Sequence, residues 1–279
     1  MSNMIEALQQ QYARLDHLRP FTGANSATPW LDDLTAKHER KLCAGLEEAV
    51  RKSGLQDGMT ISFHHAFREG DKVINRVVET LAQMGFKNLT LASSSLMTCN
   101  APLIEHIRNG VITRIYTSGM RGRLADAISH GLMAEPVHIH SHGGRVHLLQ
   151  SGELKIDVAF LGVPASDEFG NANGTAGTSR CGSLGYAMVD AQYAKTVVLL
   201  TESLVPFPNL PASIVQDQVD FVVPVDEVGD PAKISVGAAR VTSNPRELLI
   251  ARRAADVIEH SGYFKHGFSM QTGSGAAST

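Results

Sequence analysis

At 279 residues the chain can bury a substantial core, and its 43% hydrophobic and 19% charged residues exclude a disordered, charge-rich polymer. Lys and Arg total 25 against 28 Asp and Glu, a net charge of −3, which excludes a general nucleic-acid binder because no cationic excess is left for phosphates. No apolar run approaches the roughly 20 residues a membrane helix needs, and the mixed-polarity start MSNMIEALQQQYARLDHLR has no signal core, so a cytoplasmic protein without membrane attachment is expected.

Residues 1–58 read as an N-terminal helical arm, with a helix around Arg40–Lys52 and a turn at Asp57-Gly58. An α/β domain over 59–279 follows. Thr60–Phe63 is a predicted strand, and Asp71 caps a helix carrying Val73, Ile74, Val77, Val78, Leu81 and Met84 on one stripe until Gly85. Asn88–Ala92 is the next strand, Ala101–Arg108 a helix, Val111–Tyr116 a strand, and Met120–His130 a helix closed by Gly131. Strands are also expected at Val137–His140, Val158–Val163, Val197–Thr201 and Phe221–Val225. Asn244 as cap, Pro245 in the first turn and Glu247 three residues after the cap open the last helix. The alternation implies a largely parallel sheet flanked by helices. Cys43, Cys99 and Cys181 are odd in number, far apart and without a CxxC pair, which predicts free thiols.

In such sheets ligands sit beyond the carboxyl ends of the strands. Four polar loops fall there: His64-His65 with Arg68, Ser93-Ser94-Ser95, Ser118 with Arg121, and Ser141-His142-Gly143-Gly144-Arg145. A strand-to-helix turn with an Arg favours anions, and a His in it can act as donor or acid. The serines offer hydroxyl and amide donors to an oxyanion, although ASSSL is not a nucleophile elbow. His138, His140 and His142 alternate, the spacing that puts three imidazoles on one face of a strand and would suit zinc. No acidic or Cys partner stands at ligand spacing, and the run enters Gly-Gly-Arg, so no metal site is assigned. An anion loop fits better: glycine amides approach the ligand, and Arg145 grips a carboxylate or phosphate through two bonds. A polar strand end with structural glycines remains the plain alternative. Gly170–Gly185 (GNANGTAGTSRCGSLG) lacks the strand-turn-helix context of a dinucleotide fingerprint. It suits a loop that lays a thioester arm against backbone, with Asn171 and Asn173 as contacts, or an ordered turn.

Several phrases in order, among them TISFHHAFREGD, FKNLTLASSSL, ITRIYTSGMRGRLADAI, PVHIHSHGGRVHLLQSGELKIDVAFLGVPASDEFGNANG and TSNPRELLIARRAADVIEHSGYFKHGFSMQTGSG, resemble the alpha subunit of citrate lyase, a citrate CoA-transferase, from about Lys41 to the end. That resemblance implies a CoA-transferase fold, an α/β domain used twice per subunit. It implies exchange of acetate for citrate on an acyl-carrier-protein thioester, forming a citryl-carrier that the beta subunit splits. The reaction would pass through a mixed anhydride. The gamma subunit is the acyl carrier and supplies a CoA-like prosthetic group, for which acetyl-CoA could substitute; no tightly bound cofactor is implied, and an oligomer is. Family alpha subunits continue for another half of comparable length, whereas this chain ends at Thr279 and reads Gly275-Ala276 where the family has Gly-Gly. One wall of a site shared between two halves is therefore expected. On this reading Arg68, Arg121 and Arg145 hold carboxylates or phosphates. Ser93, Ser94, Ser95, Ser118, Gly143 and Gly144 donate hydrogen bonds, and His142 or His64 orients a carboxylate. The alpha chain of a two-chain acyl-CoA transferase, a docking half without catalysis, and a metal hydrolase built on the histidines are the rival readings.

Overall fold

The structure, a computed structural model, describes residues 41–234 and 242–270, all within one compact unit that spans Arg40–Thr279. Residues 1–40, most of the expected arm, lie outside the described residues. Residues 41–58 belong to the α/β unit rather than to an arm. Leu42 bridges to Val222, Cys43 is buried, and helix α1 (Leu46–Lys52) buries Ala49 and Val50.

Seven parallel strands form the sheet: β1 (Thr60–Phe63), β2 (Leu89–Ser93), β3 (Ile112–Thr117), β4 (His138–Ile139), β5 (Val158–Val163), β8 (Thr196–Thr201) and β9 (Phe221–Pro224). Their order is β4-β3-β2-β1-β5-β8-β9. Strand β5 (VAFLGV) is buried at every position and the edge strand β4 is exposed at both, as expected where helices cover both faces of the sheet centre. A two-stranded antiparallel ribbon, β6 (Ala165–Ser166) with β7 (Ala172–Asn173), follows β5. The chain winds outward from β1 through β2 and β3 to β4, then returns to the other side of β1 as β5. The order thus reverses between β1 and β5, and the crevice beyond the carboxyl ends of strands at such a point is where doubly wound sheets bind ligands.

Helix α2 (Val73–Gln83) buries Val73, Ile74, Val77, Val78 and Leu81, the stripe its sequence predicted, and Gly85 leaves it at φ +91. Close packing at the switch point depends on Gly162 in β5. A Cβ there would lie 2.6 Å from both the Phe67 ring and the Val73 side chain, so only glycine lets the β1 loop settle on the strand. Helices α3 (Leu103–Arg108) and α4 (Gly122–Ser129) fall inside their expected ranges.

Two helices depart from expectation. The strand expected at Val137–His140 shrinks to two residues, and α5 (His142–Gln150) begins where an anion loop was anticipated. Helix α6 (Tyr186–Tyr193) starts directly after Gly185, where no helix was expected. Neither has an apolar stripe. Helix α5 buries Arg145 and Leu149, and α6 buries Ala187, Asp190 and Ala191, so its largest buried group is a carboxylate. Helices α7 (Pro231–Ile234) and α8 (Pro245–His260) complete the described part, with Asn244 Oδ1 accepting from Arg246 N as the cap signal required. No helix among the described residues is long and apolar enough to cross a membrane.

Asp71 supports the start of α2 by accepting from Ile74 N at 3.1 Å, and burial pushes its carboxyl up to about 7. A carboxyl that binds its proton more tightly folded than unfolded contributes stability that is fully present below about 3.8 and is lost as pH rises through about 7. Asp71→Asn keeps the acceptor and removes the titration. The difference in Tm between variant and wild type should therefore grow in the variant's favour from pH 5 to pH 8 in thermal melts. A pH-independent difference would show that Asp71 does not titrate in this window.

Candidate active site

Strand β1 delivers two histidines to the switch point, and the structure separates their roles. His64 continues the central strand between β2 and β5 and is only 3% exposed. Its Nε2 lies 2.8 Å from Gly162 O, Ala66 N donates to its Nδ1 at 3.4 Å, and burial drives its pKa down to about 4. With both nitrogens engaged inside the fold, His64 is a structural imidazole, which corrects its reading as a substrate-orienting group. His65, one residue further, clears the sheet edge and remains partly exposed.

A chain of hydrogen bonds runs from His65 across the next two strand ends. Ser94, beyond β2, accepts from His65 N at 3.0 Å, and its Oγ lies 2.6 Å from His65 Nδ1. Ser118, beyond β3, donates its hydroxyl to Ser94 O, and its Oγ lies 2.9 Å from His142 Nδ1 in the first turn of α5. The rings of His65 and His142 are 5.8 Å apart, and Tyr186, first residue of α6, lies 5.9 Å from the former and 5.4 Å from the latter. Five residues from five segments thus share one rim.

Beneath them is a buried ion pair. Arg145 Nη2 donates to Asp190 Oδ1 at 2.9 Å and to Oδ2 at 2.7 Å, both side chains have no exposure, and Ser62 of β1 donates to Asp190 Oδ2 at 2.7 Å. Burial pushes the Asp190 carboxyl up, and the Arg145 charge and the Ser62 hydroxyl oppose that rise. Arg145 also donates to Ala92 O on β2 at 3.3 Å. The expected carboxylate grip of Arg145 on a ligand is therefore corrected: its partner is Asp190.

The remaining candidates divide. Arg68 and Arg121 are exposed on the loops after β1 and β3. Burial is the main cause that lowers His65 to about 4, followed by His142, Arg68, Arg145 and Arg121, so two exposed guanidiniums stand close enough to act on the same imidazole. Ser93 donates to Ser95 O at 3.0 Å, Ser95 donates to Gly119 O at 3.2 Å, and Ser94 is fully buried. These three serines shape the loop rather than face a ligand. The hydroxyl of Ser141 caps α5 by accepting from Gly144 N, so Gly144 has no free amide, while Gly143 sits one residue inside the helix start. Asn171 and Asn173 are buried and internally bonded, the first to Asp167 and Gln216 and the second to Asn209, Pro211, Thr175 and Ala176. They pin the glycine-rich loop and are not ligand contacts. His138 stacks on Tyr116 at 4.3 Å and His142 opens a helix, so the alternating imidazoles do not share a strand face.

Tyr186 and Asp190 were missed because α6 lacks a helical apolar stripe. Only its Gly185 flank and the small residues Ala187 and Ala191 hinted at a close-packed helix.

Comparison with known proteins places this arrangement. The fold is that of the CoA-transferase class: an acyl-CoA transferase from Escherichia coli O157:H7 aligns with a TM-score of 0.56 at 16% identity, covering 78% of this chain and 54% of that one. The alpha subunit of a malonate decarboxylase from Acinetobacter baumannii aligns at 0.58 and 17%, covering 85% and 45%. Within that class, the profile of the family "citrate lyase, alpha subunit" matches residues 39–279, and the chain belongs to this family. The citrate lyase alpha chain of Klebsiella pneumoniae is 67% identical over 278 residues, 100% of this chain and 55% of the relative. That of Escherichia coli K12 is 73% identical over 240 residues, 86% and 47%. A solved structure from Streptococcus mutans, described as the alpha subunit of citrate lyase in complex with citrate, aligns with a TM-score of 0.81 at 50% identity over 97% of this chain and 53% of that one. The chain spans about half the length of the curated relatives it matches.

Removing one member of a buried ion pair leaves the other uncompensated at a cost of about 3–5 kcal/mol. Arg145→Met should lower unfolding free energy by that amount in denaturant titrations, and adding Asp190→Leu should restore most of it. A loss under about 1 kcal/mol for the single variant would show that the pair does not carry this stability.

Proposed function

We propose that this chain supplies one wall of a citrate CoA-transferase site, exchanging acetate for citrate on an acyl-carrier thioester. The products are citryl-carrier and acetate, and the beta and gamma subunits of the lyase are the working partners. Family membership supports this reading, as does the citrate named with the Streptococcus mutans relative. The observation that carries it is the collar at the switch point: His65, held neutral, faces exposed Arg68 and Arg121 beside His142 and Tyr186. Citrate bears several carboxylates, which are ionised near neutral pH, and fixed cations on partly desolvated loops attract them.

The chemistry asks little proton transfer of this wall. A citrate carboxylate is already a nucleophile and needs no base. Its oxygen bonds to the acetyl carbon of the thioester, the C–S bond breaks, and the thiol sulfur leaves as thiolate. The thiolate then attacks the citryl carbon of the mixed anhydride and acetate departs. Both steps raise negative charge on a carbonyl oxygen, which fixed N–H donors stabilise, while His65 positions the citrate that attacks. The acetylated carrier is a substrate throughout, with acetyl-CoA as its simpler stand-in, and the setting is the cytoplasm.

The test is citrate-dependent acetate release from acetyl-carrier by the chain with the second half of a relative supplied in trans. Release is expected, and His65→Ala should slow it on the order of a hundredfold by loosening the position of citrate. No citrate-dependent release with carrier and second half present would overturn the assignment, and release only with free CoA as acceptor would favour a two-chain acyl-CoA transferase.

A further inference from the structure

One assignment of protons satisfies the hydrogen bonds around the two rim imidazoles together. A serine hydroxyl has one proton to give. Assigned to Ser94 O, which also accepts from Ser118 N, that of Ser118 leaves the contact between Ser118 Oγ and His142 Nδ1 at 2.9 Å to be donated by Nδ1. A neutral His142 then keeps a bare lone pair on Nε2. At His65 the assignment runs the other way. Ser94 Oγ already accepts from His65 N, and its own proton has no acceptor among the described residues except His65 Nδ1 at 2.6 Å. The same assignment puts the His65 proton on Nε2. Neither Nε2 has a hydrogen-bond partner among the described residues, and the two rings, 5.8 Å apart, share Tyr186 as a neighbour. One rim thus presents a hydrogen-bond donor beside an acceptor.

An acid that bears only carboxylates has no proton to offer the acceptor. One with a hydroxyl on the carbon that carries a carboxylate matches both groups. We infer that His65 and His142 read an α-hydroxycarboxylate, His65 Nε2–H donating to a carboxylate oxygen and His142 Nε2 accepting the hydroxyl proton of the same carbon. This rests on the polyanion site proposed above and adds that the hydroxyl is selected by His142, with Ser118 as the residue that positions its tautomer. Arg68 and Arg121 then hold the outer carboxylates, which any tricarboxylate possesses.

Isothermal titration of the 279-residue chain, with the second half of a relative supplied in trans, against citrate and against propane-1,2,3-tricarboxylate, which is citrate without its hydroxyl, measures the selection. One neutral hydrogen bond corresponds to roughly tenfold tighter binding of citrate. His142→Asn keeps an amide N–H toward Ser118 and has no atom in place of Nε2. It should bind both acids equally, at the wild-type affinity for the hydroxyl-free one. A long-range proton–nitrogen correlation spectrum of wild type, which does not depend on the variant folding, should show the His142 proton on Nδ1. Equal wild-type affinities, a citrate preference that survives His142→Asn, or a His142 proton on Nε2 would each overturn the inference. Acyl exchange that persists with equal affinities would overturn the hydroxyl reader alone, whereas a chain that binds neither acid would remove the polyanion site as well.

Discussion

Arg145 and Asp190 meet inside the protein with no exposure to water, and the site is built outward from them. Arg145 lies three residues into α5 from His142, and Asp190 lies four residues into α6 from Tyr186. Residues at those spacings sit one above the other on a helix face. Locking the buried pair therefore locks the first turns of both helices against each other and against β1, through Ser62, and β2, through Ala92 O. Two ions taken from water are costly unless their geometry is good. Here the carboxylate accepts from one guanidinium nitrogen and a hydroxyl, tying four elements to one point, while Arg145 Nε and Nη1 stay buried without a hydrogen-bond partner among the described residues. The position of His142 and Tyr186 beside His65 follows from a bond neither of them makes.

Charge at the rim is divided between a neutral His65 and two exposed guanidiniums. Burial and nearby cations hold His65 neutral, so no proton is spent on the imidazole and its N–H stays a donor across the physiological range. The guanidiniums of Arg68 and Arg121 are exposed, whereas the imidazoles are held through serines that face inward. The net charge of −3 over the whole chain conceals the local field, which comes from two loops rather than from composition.

Much of this was legible in the residues. Strand β1 and helix α2 fall where TISF and the Val73–Leu81 stripe put them, and the four polar loops gather on one edge because parallel strands must all end there. The sequence also led to the right family, through long phrases rather than any single motif. What it hid is instructive. Arg145 follows two glycines in a loop-like run, the pattern of a ligand grip, and only the missed helix α6 supplies the carboxylate that claims it. His64 and His65 are indistinguishable by type and neighbours. The central position of β1, known only from the strand order, decides that the first is buried and the second reaches the rim. Asn171 and Asn173 looked available because a glycine-rich loop reads as open, yet the carboxylate of Asp167 and the amide of Asn209 bind it into a fixed turn.

The central claim is that a fully buried pair sets the geometry of the proposed acid-binding rim. It is tested most directly by the citrate affinity of the Arg145→Met/Asp190→Leu double variant, in which apolar packing replaces the ions so that the fold can persist. A folded double variant, verified by its thermal melt, that binds citrate at least about tenfold more weakly than wild type is the predicted result. A folded double variant with unchanged citrate affinity would contradict the claim and leave the pair as a piece of core.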